Sequence, residues 1–576
     1  MNEVGAKETV ESQSNETPVV NIDIHVGVFF DGTNNNANTN NWLDWLKFSS
    51  IVEKNHAYNN TIKFSEAQKK GEKDIDESSI KYRKNSNPAI LSKLFYTKSI
   101  NHASNDHSKF LHVYIEGAGA NGFQAEDKIV DFMINGKAIK GLGFGVGSTG
   151  VVAKVSKAVK YVADRIKSEE KNNFTKISYI HFYIFGFSRG SACARLFSYL
   201  VARSAGDPDA VDTTLKKNDD GLITKNAEEE FDNYLSWKYF KNKKVSFLEN
   251  YTGKMSVDFL GIYDTVAAIG FLKEENGDVN GLRTLFMSDS EFWDNFHKEN
   301  VECYGLYSPN FSNVKSTCHI CALDEFRANF ALTDIGKAVT RDSNIELLLP
   351  GSHSDIGGGY IDTAKTEKKT LKAIDSGKIT RMCVNCPTNS VIDEKSKDSK
   401  CWKELSAETL NELGWNDNGF TTENESFELN HFPKPRNPYS NIPLKFMYKR
   451  ALLKAPYLEN LFDKYPEFYY PIPKDLADMW GDLERNIIDK KDRICYLIGG
   501  EYNSEEYKQI RQKYLHFTST DTLHGIGDLG NPPGRRIEGS YSDICRYIYH
   551  GDKEDNKNFY YMQDYAINVW SVTNTM

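Results

Sequence analysis

Five runs of mostly apolar residues stand out in the first two-thirds of the chain. They occupy residues 22–30, 111–115, 177–185, 257–263 and 345–349. Apolar and aromatic positions follow one another in these runs almost without interruption, instead of alternating with polar ones. Such runs are typical of strands buried on both faces of a sheet, so the sequence predicts five interior β-strands.

Helical spacing of apolar residues appears between these runs. It predicts helices over residues 89–95, where Asn87-Pro88 suits a first turn, and over residues 151–166. A third helix is predicted directly after the third run, where six apolar residues share one face: Ala192, Cys193, Leu196, Phe197, Leu200 and Val201. Strands that alternate with helices indicate the α/β class, with a doubly wound and mostly parallel sheet.

A G-x-S-x-G motif follows the third run, in the sequence Gly186-Phe187-Ser188-Arg189-Gly190. A serine between a buried strand and a helix fits a nucleophile elbow, in which the two glycines relieve a tight turn. The elbow would raise Ser188 above the sheet at a helix N-terminus, where backbone N–H groups can bind an oxyanion. The alternative is a glycine-rich turn in which the serine only caps the helix.

A nucleophilic serine needs a base and an acid, and both follow in the order expected of an α/β-hydrolase-like fold. His353 lies in a glycine-rich loop after the fifth run, and Asp264 directly follows the fourth. Asp264 is the expected acid, since a carboxylate there would orient the imidazole. Asp258 is a weaker candidate because it falls inside a strand, and His516 is the alternative base. Asp355 is expected to order the histidine loop.

The loop after the first run, Asp31-Gly32-Thr33, is the expected source of a second oxyanion donor. In this architecture one backbone N–H comes from an early strand-to-helix loop, here Gly32 or Thr33, and another from the residue after the nucleophile, Arg189. Asp31 is expected to support this loop. A polar turn without a catalytic role is the alternative, and one carboxylate is too few to favour calcium.

Two other motifs could suggest a dinucleotide site or a zinc site, but neither is predicted to bind a cofactor or metal. Residues 145–150 contain G-x-G-x-x-G, yet no apolar run directly precedes them, so a loop beside the active site fits better than a dinucleotide site. Cys318 and Cys321 are too far from Cys383 and Cys386 for ordinary zinc spacing, so buried free thiols are expected. A disulfide involving Cys401 stays open. No metal and no cofactor are predicted.

The proposed domain organisation follows from these patterns. Residues 1–20 form a polar N-terminal tail, and residues 21–365 form the catalytic core with insertions near 206–250 and 273–316. Residues 366–576 are predicted to form a mixed helical C-terminal region, with amphipathic helices over residues 442–462 and 474–488. That region is a candidate lid or membrane-docking module.

Composition narrows the function classes. The chain has 576 residues, is 39% hydrophobic and carries a formal net charge of −9, which argues against a general nucleic-acid binder. Its first twenty residues lack a basic segment followed by an apolar one, so no signal peptide is expected. Runs of eighteen apolar residues are absent, so no membrane span is expected. Synthesis in the cytoplasm is therefore expected, and if the protein acts outside its cell, a machine that reads no signal peptide must export it.

Six stretches of the chain resemble a known family, the bacterial type VI secretion phospholipase effectors of the first lipase-effector family. The stretches are Val28-Phe29-Phe30-Asp31-Gly32-Thr33-Asn34-Asn35, Tyr114-Ile115-Glu116-Gly117-Ala118-Gly119, Gly186-Phe187-Ser188-Arg189-Gly190, Tyr263-Asp264-Thr265-Val266, Ala322-Leu323-Asp324-Glu325-Phe326-Arg327 and Pro350-Gly351-Ser352-His353-Ser354-Asp355-Ile356-Gly357-Gly358-Gly359-Tyr360. By this resemblance Ser188, Asp264 and His353 match the family triad.

The resemblance also implies a substrate, partners and a destination. The substrate would be membrane glycerophospholipid, and the enzyme would be an antibacterial toxin delivered to the target-cell periplasm, where it acts peripherally at the membrane. The implied partners are a cognate immunity protein and a spike protein of the VgrG or PAAR type. Two other readings stay open at this point: an esterase or thioesterase with a soluble substrate, and a hydrolase-like binding subunit without activity.

Overall fold

The computed structural model describes the central strands and the helices that pack on them. The described residues are 20–33, 35, 85–101, 108–118, 133–134, 137–138, 150–170, 175–205, 254–266, 313–327, 330, 332–341, 343–359, 437–455, 470–500, 504–515, 518–520, 545–549, 558–561 and 571–572.

A parallel sheet organises this part of the chain. The strands are β1 (Val20–Phe30), β2 (Ser108–Ile115), β3 (Met133–Ile134), β4 (Lys137–Ala138), β5 (Thr175–Phe187), β6 (Lys254–Tyr263), β7 (Thr317–Ala322), β8 (Glu325–Arg327), β9 (Leu332–Thr333), β10 (Ile345–Leu349), β11 (Asp492–Cys495), β12 (Thr518–Thr520), β13 (Cys545–Tyr549), β14 (Asn558–Tyr561) and β15 (Ser571–Val572). Eight of them form the main sheet in the order β15-β11-β10-β7-β6-β5-β1-β2. Every neighbouring pair in it is parallel.

Helices cover both faces of the sheet. The α-helices are α1 (Asn87–Asn101), α2 (Val151–Glu170), α3 (Arg189–Ser204), α4 (His353–Gly357), α5 (Asn441–Leu452), α6 (Ala477–Asp482) and α7 (Glu505–Tyr514). Shorter 3₁₀ turns span Gly336–Thr340, Asn437–Ser440, Lys474–Leu476 and Ile498–Gly500, and a π-helical turn spans Leu483–Ile487. The α/β class expected from the sequence is therefore confirmed.

Consecutive residues of the inner strands enter two separate cores, which explains their nearly continuous apolar runs. Phe29 and Phe185 pack on the face covered by α1 and α5, and Val28 and Ile184 pack on the face covered by α2 and α3. Fully burying one such side chain contributes about 1.5–3 kcal/mol. A strand that alternated with polar residues would leave one of these cores unfilled.

All five expected strands form, as β1, β2, β5, β6 and β10, and the first three expected helices form as α1, α2 and α3. β7 has no clear signature in the sequence, because Thr317 and His319 interrupt its apolar pattern. Residues beyond 365 were expected to be mixed helical, but through β11 and β15 they also extend the sheet itself.

The two helices predicted in the C-terminal region form only in part. The helix expected over residues 442–462 ends as α5 at Leu452, and the helix expected over residues 474–488 is a 3₁₀ turn, α6 and a π-helical turn. Several predicted features lie outside the described residues: residues 1–19, 145–149 and 206–250, most of 273–316, Cys383, Cys386, Cys401 and His516. Among the helices that are described, none combines the length and apolarity needed to cross a bilayer.

Candidate active site

Ser188 forms a strained turn between β5 and α3. Its φ is 60°, a left-handed value that is uncommon for a residue other than glycine and costs roughly 1–3 kcal/mol. The turn is held from both sides, since the Ser188 N–H donates to Tyr263 O at 3.0 Å and Ser191 N–H donates to Ser188 O at 2.9 Å. Ser188 therefore lies next to the end of β6, at the N-terminus of a helix of 16 residues.

The two glycines of the motif are needed for close backbone contacts. A Cβ added at Gly186 would lie 2.4 Å from Gly190 O, and a Cβ added at Gly190 would lie 2.3 Å from Asp31 O. Both distances are far below van der Waals contact with backbone atoms that cannot rotate away. Gly186 is thus needed for the tight turn itself, and Gly190 is needed for the turn to pack against the loop after β1.

His353 is paired with Asp264. Its Nδ1 lies 2.5 Å from Asp264 Oδ2, and both side chains are buried. Asp264 has a φ of 41°, and its second oxygen, Oδ1, accepts the Ala322 N–H at 2.9 Å. When Asp264 is ionised it can only accept, so it selects the neutral His353 tautomer that carries the proton on Nδ1 and leaves Nε2 as the acceptor nitrogen.

Two aromatic rings orient the imidazole of His353. The ring of Phe187, the residue before Ser188, lies 4.5 Å from it, and Phe330 meets it edge-on at 4.8 Å. Gly357 allows this packing, because a Cβ there would be 2.0 Å from the Phe187 ring. The serine turn and the histidine are therefore linked through one phenylalanine.

Carboxylates from two places support the histidine loop. Within the loop, Asp355 Oδ2 accepts from the Ser352 N–H at 2.9 Å and from the Ser352 hydroxyl at 3.0 Å, so Asp355 orders the first turn of α4. From the turn between β7 and β8 and the first residue of β8, Asp324 Oδ2 accepts the Gly351 N–H at 2.7 Å and Glu325 Oε2 accepts the His353 N–H at 3.2 Å. Asp324 and Glu325 belong to one of the six stretches that carry the family resemblance, but their support of the histidine loop is visible only in the structure.

Asp31 anchors the loop after β1. It is buried, and it accepts the Gly32 N–H at 2.8 Å, the Tyr114 hydroxyl at 2.5 Å and the Ser86 hydroxyl. Burial raises its pKa to about 6, against the effect of these hydrogen bonds. The Gly32 N–H is thus already engaged.

Arg189 connects the elbow to the same loop. Its Nε donates to Thr33 Oγ1 at 2.8 Å, which fixes the position of Thr33 relative to the start of α3. Burial lowers the pKa of Arg189 to about 10, so the side chain stays charged near neutral pH.

Asp258 lies elsewhere. It pairs with His181 at 2.7 Å and with Lys315 at 2.7 Å, inside β6 rather than at its end. Burial by itself would raise its pKa, but hydrogen bonds from His181, Lys315 and Ser256 lower it to about 2. His353 therefore meets Asp264 and not Asp258.

Three buried side chains that could act as metal ligands lie near the loop that bears Asp264. His319, Cys321 and Glu346 have ligand atoms within 4.8 Å of one another, and in the described part of the chain this is the one such group. The Glu346 oxygens accept from Arg493 Nε at 3.0 Å and from the Ile335 N–H at 2.7 Å, and Nε2 of His319 accepts the Thr265 N–H at 3.2 Å. A cation would displace these bonds beside an arginine, so the group does not fit a metal.

Two of the cysteines weighed as zinc ligands lie in β7, within the described part of the chain. Cys318 and Cys321 are buried thiols that form no disulfide, as expected. Burial raises the pKa of Cys318 to about 12, so this thiol is not a reactive nucleophile.

A match to a family model identifies the family to which the chain belongs. The family model described as "T6SS, Phospholipase effector Tle1-like, catalytic domain" matches residues 25–377, more than half of the chain. The chain belongs to the Tle1-like family of type VI secretion phospholipase effectors. The resemblance drawn from the six sequence stretches is therefore confirmed. As a phospholipase effector of this family, the protein is a lipid-hydrolysing enzyme.

Solved structures with similarity to this Tle1-like chain are distant in sequence. One is described as the Tle1 effector bound to the VgrG spike from the type 6 secretion system, with 20% identity, 99% of this chain and 98% of that chain covered, and a TM-score of 0.48. Another is an uncharacterised protein from Pseudomonas aeruginosa, with 17% identity, 60% and 42% coverage, and a TM-score of 0.29. No curated protein matches the chain.

Proposed function

We propose that this Tle1-like effector is a serine hydrolase of the phospholipase A type, which cleaves acyl ester bonds of membrane glycerophospholipids. The observation that carries the proposal is the Ser188 turn, held by the backbone of Tyr263 directly beside the buried Asp264–His353 pair. Family membership supports the lipid substrate, and the side-chain arrangement supports acyl transfer to water.

The reaction begins with proton transfer from Ser188 Oγ to Nε2 of His353 as Oγ attacks the ester carbonyl. Asp264 stabilises the imidazolium that forms and keeps the proton on Nδ1. The imidazolium then protonates the leaving alcohol, the lysophospholipid, and an acyl-serine remains. Water, deprotonated by His353, hydrolyses this ester, releases the fatty acid and restores Ser188.

The oxyanion would be held by backbone N–H groups of Arg189 and Thr33. Arg189 is the first residue of α3, where N–H groups point out of the helix. Of the two candidates in the loop after β1, Thr33 is favoured over Gly32, because Asp31 already accepts the Gly32 N–H. The hydrogen bond from Arg189 Nε to Thr33 Oγ1 would keep the two donors at a constant separation.

Delivery and partners are proposed from family membership alone. A type VI effector would be carried by a spike protein of the VgrG or PAAR type and neutralised in the producing cell by an immunity protein. The proposed site of action is the periplasmic membrane surface of a target bacterium.

The test measures fatty acid release from phospholipid vesicles by the purified chain. Ser188→Ala should lower the rate about a thousandfold or more, because the nucleophile is lost while the fold is kept. Ser198→Ala is the matched control: Ser198 lies in α3, and its hydroxyl donates only within the helix in the bonds seen, to Ala194 O and Arg195 O. That control should keep the wild-type rate.

Full activity of Ser188→Ala would refute the proposal. Labelling by a fluorophosphonate probe in the wild type but not in Ser188→Ala would exclude a non-catalytic subunit. Faster hydrolysis of short soluble esters than of vesicles would favour an esterase with a soluble substrate over a phospholipase.

A further inference from the structure

Two arginines from the C-terminal part of the chain bind buried carboxylates close to the loops that bear Asp264 and His353. Arg493 is in β11 and Arg511 is in α7, both beyond residue 377, where the match to the catalytic domain family ends. We propose that the C-terminal region completes the active site, with Arg493 and Arg511 as positioning residues that each neutralise a buried carboxylate holding one of these loops. The inference rests on the proposed triad.

Arg511 acts on the histidine loop through Asp324. Its Nη2 lies 3.3 Å from Asp324 Oδ1, and both side chains are fully buried. The other carboxylate oxygen, Oδ2, accepts the Gly351 N–H at 2.7 Å, two residues before His353. The Asp324 N–H returns a bond to Gly351 O at 2.9 Å, so Asp324 holds the loop in two directions.

Tyr507, also in α7, completes this clamp. Its hydroxyl donates to Asp324 Oδ2 at 2.9 Å, and the Arg511 guanidinium stacks on its ring at 3.9 Å from the ring centre. The stacking holds the planar guanidinium against the carboxylate. Thus one face of a C-terminal helix provides both the charge and the hydroxyl that fix Asp324.

Arg493 acts on the acid loop through Glu346 and His319. Arg493, Glu346 and His319 stand in register on three neighbouring strands, β11, β10 and β7. Arg493 Nε donates to Glu346 Oε1 at 3.0 Å, and His319 Nδ1 lies 2.8 Å from Glu346 Oε2. Because Nε2 of His319 accepts the Thr265 N–H, Nδ1 must carry the proton given to Glu346.

The hydrogen bonds that begin at Arg493 end at Thr265, the residue after Asp264. The backbone of Thr265 is fixed by His319 on its N–H and by the Thr333 N–H on its carbonyl, at 2.9 Å. Asp264 has a strained φ of 41°, so its position depends on such external contacts. Arg493 also donates to Asp334 Oδ2 at 3.0 Å, which neutralises a second buried carboxylate nearby.

Asp324 and Glu346 use their two carboxylate oxygens in the same way. One carboxylate oxygen, Oδ2 of Asp324 or Oε2 of Glu346, accepts the groups that hold the loops, and the other oxygen receives the arginine. A buried carboxylate without a cation is strongly disfavoured, whereas a neutral group of the same shape is tolerated. The arginines therefore allow a strong acceptor to remain inside the protein beneath the active site.

The experiment compares variants of the Arg511–Asp324 pair in the full chain. Arg511→Met leaves Asp324 unneutralised, so its fluorophosphonate labelling rate and kcat should fall about a hundredfold, the effect of a small misplacement of His353. KM for vesicles should change little. In Asp324→Asn with Arg511→Met the charge is removed but the amide oxygen still accepts the Gly351 N–H, so kcat should recover to within about tenfold of the wild type.

A third variant keeps the test valid if Arg511→Met fails to fold. Asp324→Ala with Arg511→Met also lacks the buried charge, but it offers the Gly351 N–H no acceptor. We expect both double variants to keep a cooperative melting transition, and the alanine version to label and turn over at least about tenfold more slowly than the asparagine version. Arg493→Met should lower kcat in the same manner as Arg511→Met.

Arg485→Met is the control for removing a C-terminal arginine, since Arg485 is exposed and pairs only weakly with Asp482, at 3.4 Å. It should leave kcat unchanged. Equal kcat in the two folded double variants, whether high or low, would overturn the inference. Wild-type kcat in both single arginine variants, with Ser188→Ala inactive, would also overturn it and leave the proposed function intact. Full activity of Ser188→Ala would instead refute the proposed function.

Discussion

At the scale of residues, two strained positions stand side by side. Ser188 and Asp264 both have positive φ, and the Ser188 N–H donates to the carbonyl of Tyr263, the residue before Asp264. Backbone strain persists only where surrounding contacts impose it, and it is concentrated at functional sites. The arrangement is therefore an independent reason to choose Asp264, and not Asp258, as the partner of His353.

Asp264→Asn should lower kcat about a thousandfold to ten-thousandfold. The Ala322 N–H would keep the amide oxygen at the Oδ1 position, so the amide NH₂ would face Nδ1 of His353 and donate to it. The imidazole proton then moves to Nε2, which can no longer accept the Ser188 proton. The measurement is the steady-state rate on vesicles with the melting temperature as a check on folding.

Asp258→Asn is the matched control for that change. Its loss loosens the contacts with His181 and Lys315, so stability should fall while kcat stays near the wild-type value. A greater loss of kcat in Asp258→Asn than in Asp264→Asn would show that the acid has been misassigned.

At the scale of elements, the start of α3 packs against the end of β1. Gly190 approaches the carbonyls of both Phe30 and Asp31, so the first turn of the helix rests on the backbone of the neighbouring loop. This contact brings Arg189 close enough to Thr33 for its Nε to donate to Thr33 Oγ1. The elbow is thus a property of two packed elements, and not of five residues in isolation.

Gly190→Ala tests that packing. Its Cβ would lie 2.3 Å from Asp31 O and 2.5 Å from Phe30 O, so the free energy of unfolding should fall by about 3 kcal/mol, the upper end of the usual cost of overpacking. Labelling of Ser188 should slow as the helix is displaced. Chemical denaturation and probe labelling measure the two effects.

Gly481→Ala, in α6, provides the comparison, because the atoms nearest to its Cβ would be those at the flexible end of the exposed Arg485 side chain, at 2.8 Å. Alanine favours a helix over glycine, so this variant should be as stable as the wild type or more so. A Gly190→Ala protein of wild-type stability and reactivity would contradict the close approach.

At the scale of the whole molecule, the C-terminal region belongs to the same core as the catalytic strands. Ile442, Leu444 and Phe446 of α5 are fully buried in one cluster with residues of β7 and β10, and β11 extends the sheet beside β10. The family match ends at residue 377, but the hydrophobic core does not.

A chain that ends at residue 377 should therefore fail to form a cooperative native state. It would expose the face of the sheet that α5 covers and the hydrogen-bonding edge of β10 that β11 occupies. Loss of near-ultraviolet circular dichroism and of a sharp melting transition would show this. A monomeric fragment that melts cooperatively would contradict the prediction.

The sequence by itself determined the fold class, the five central strands, the elbow motif and the family. These features are local: an unbroken apolar run reflects burial on both faces, and the six motifs are short stretches of chain. The catalytic roles of Ser188, Asp264 and His353 stay predictions, as do the oxyanion donors and the domain boundaries.

Only the tertiary structure decided which distant groups meet. Asp264 and His353 are 89 residues apart, and their contact depends on β7 standing between β6 and β10, a strand that the sequence pattern did not reveal. The same holds for Arg511 and Asp324, 187 residues apart. Sequence periodicity records how each residue is buried, but strand order sets which side chains face each other, because that order arises from packing across the whole chain.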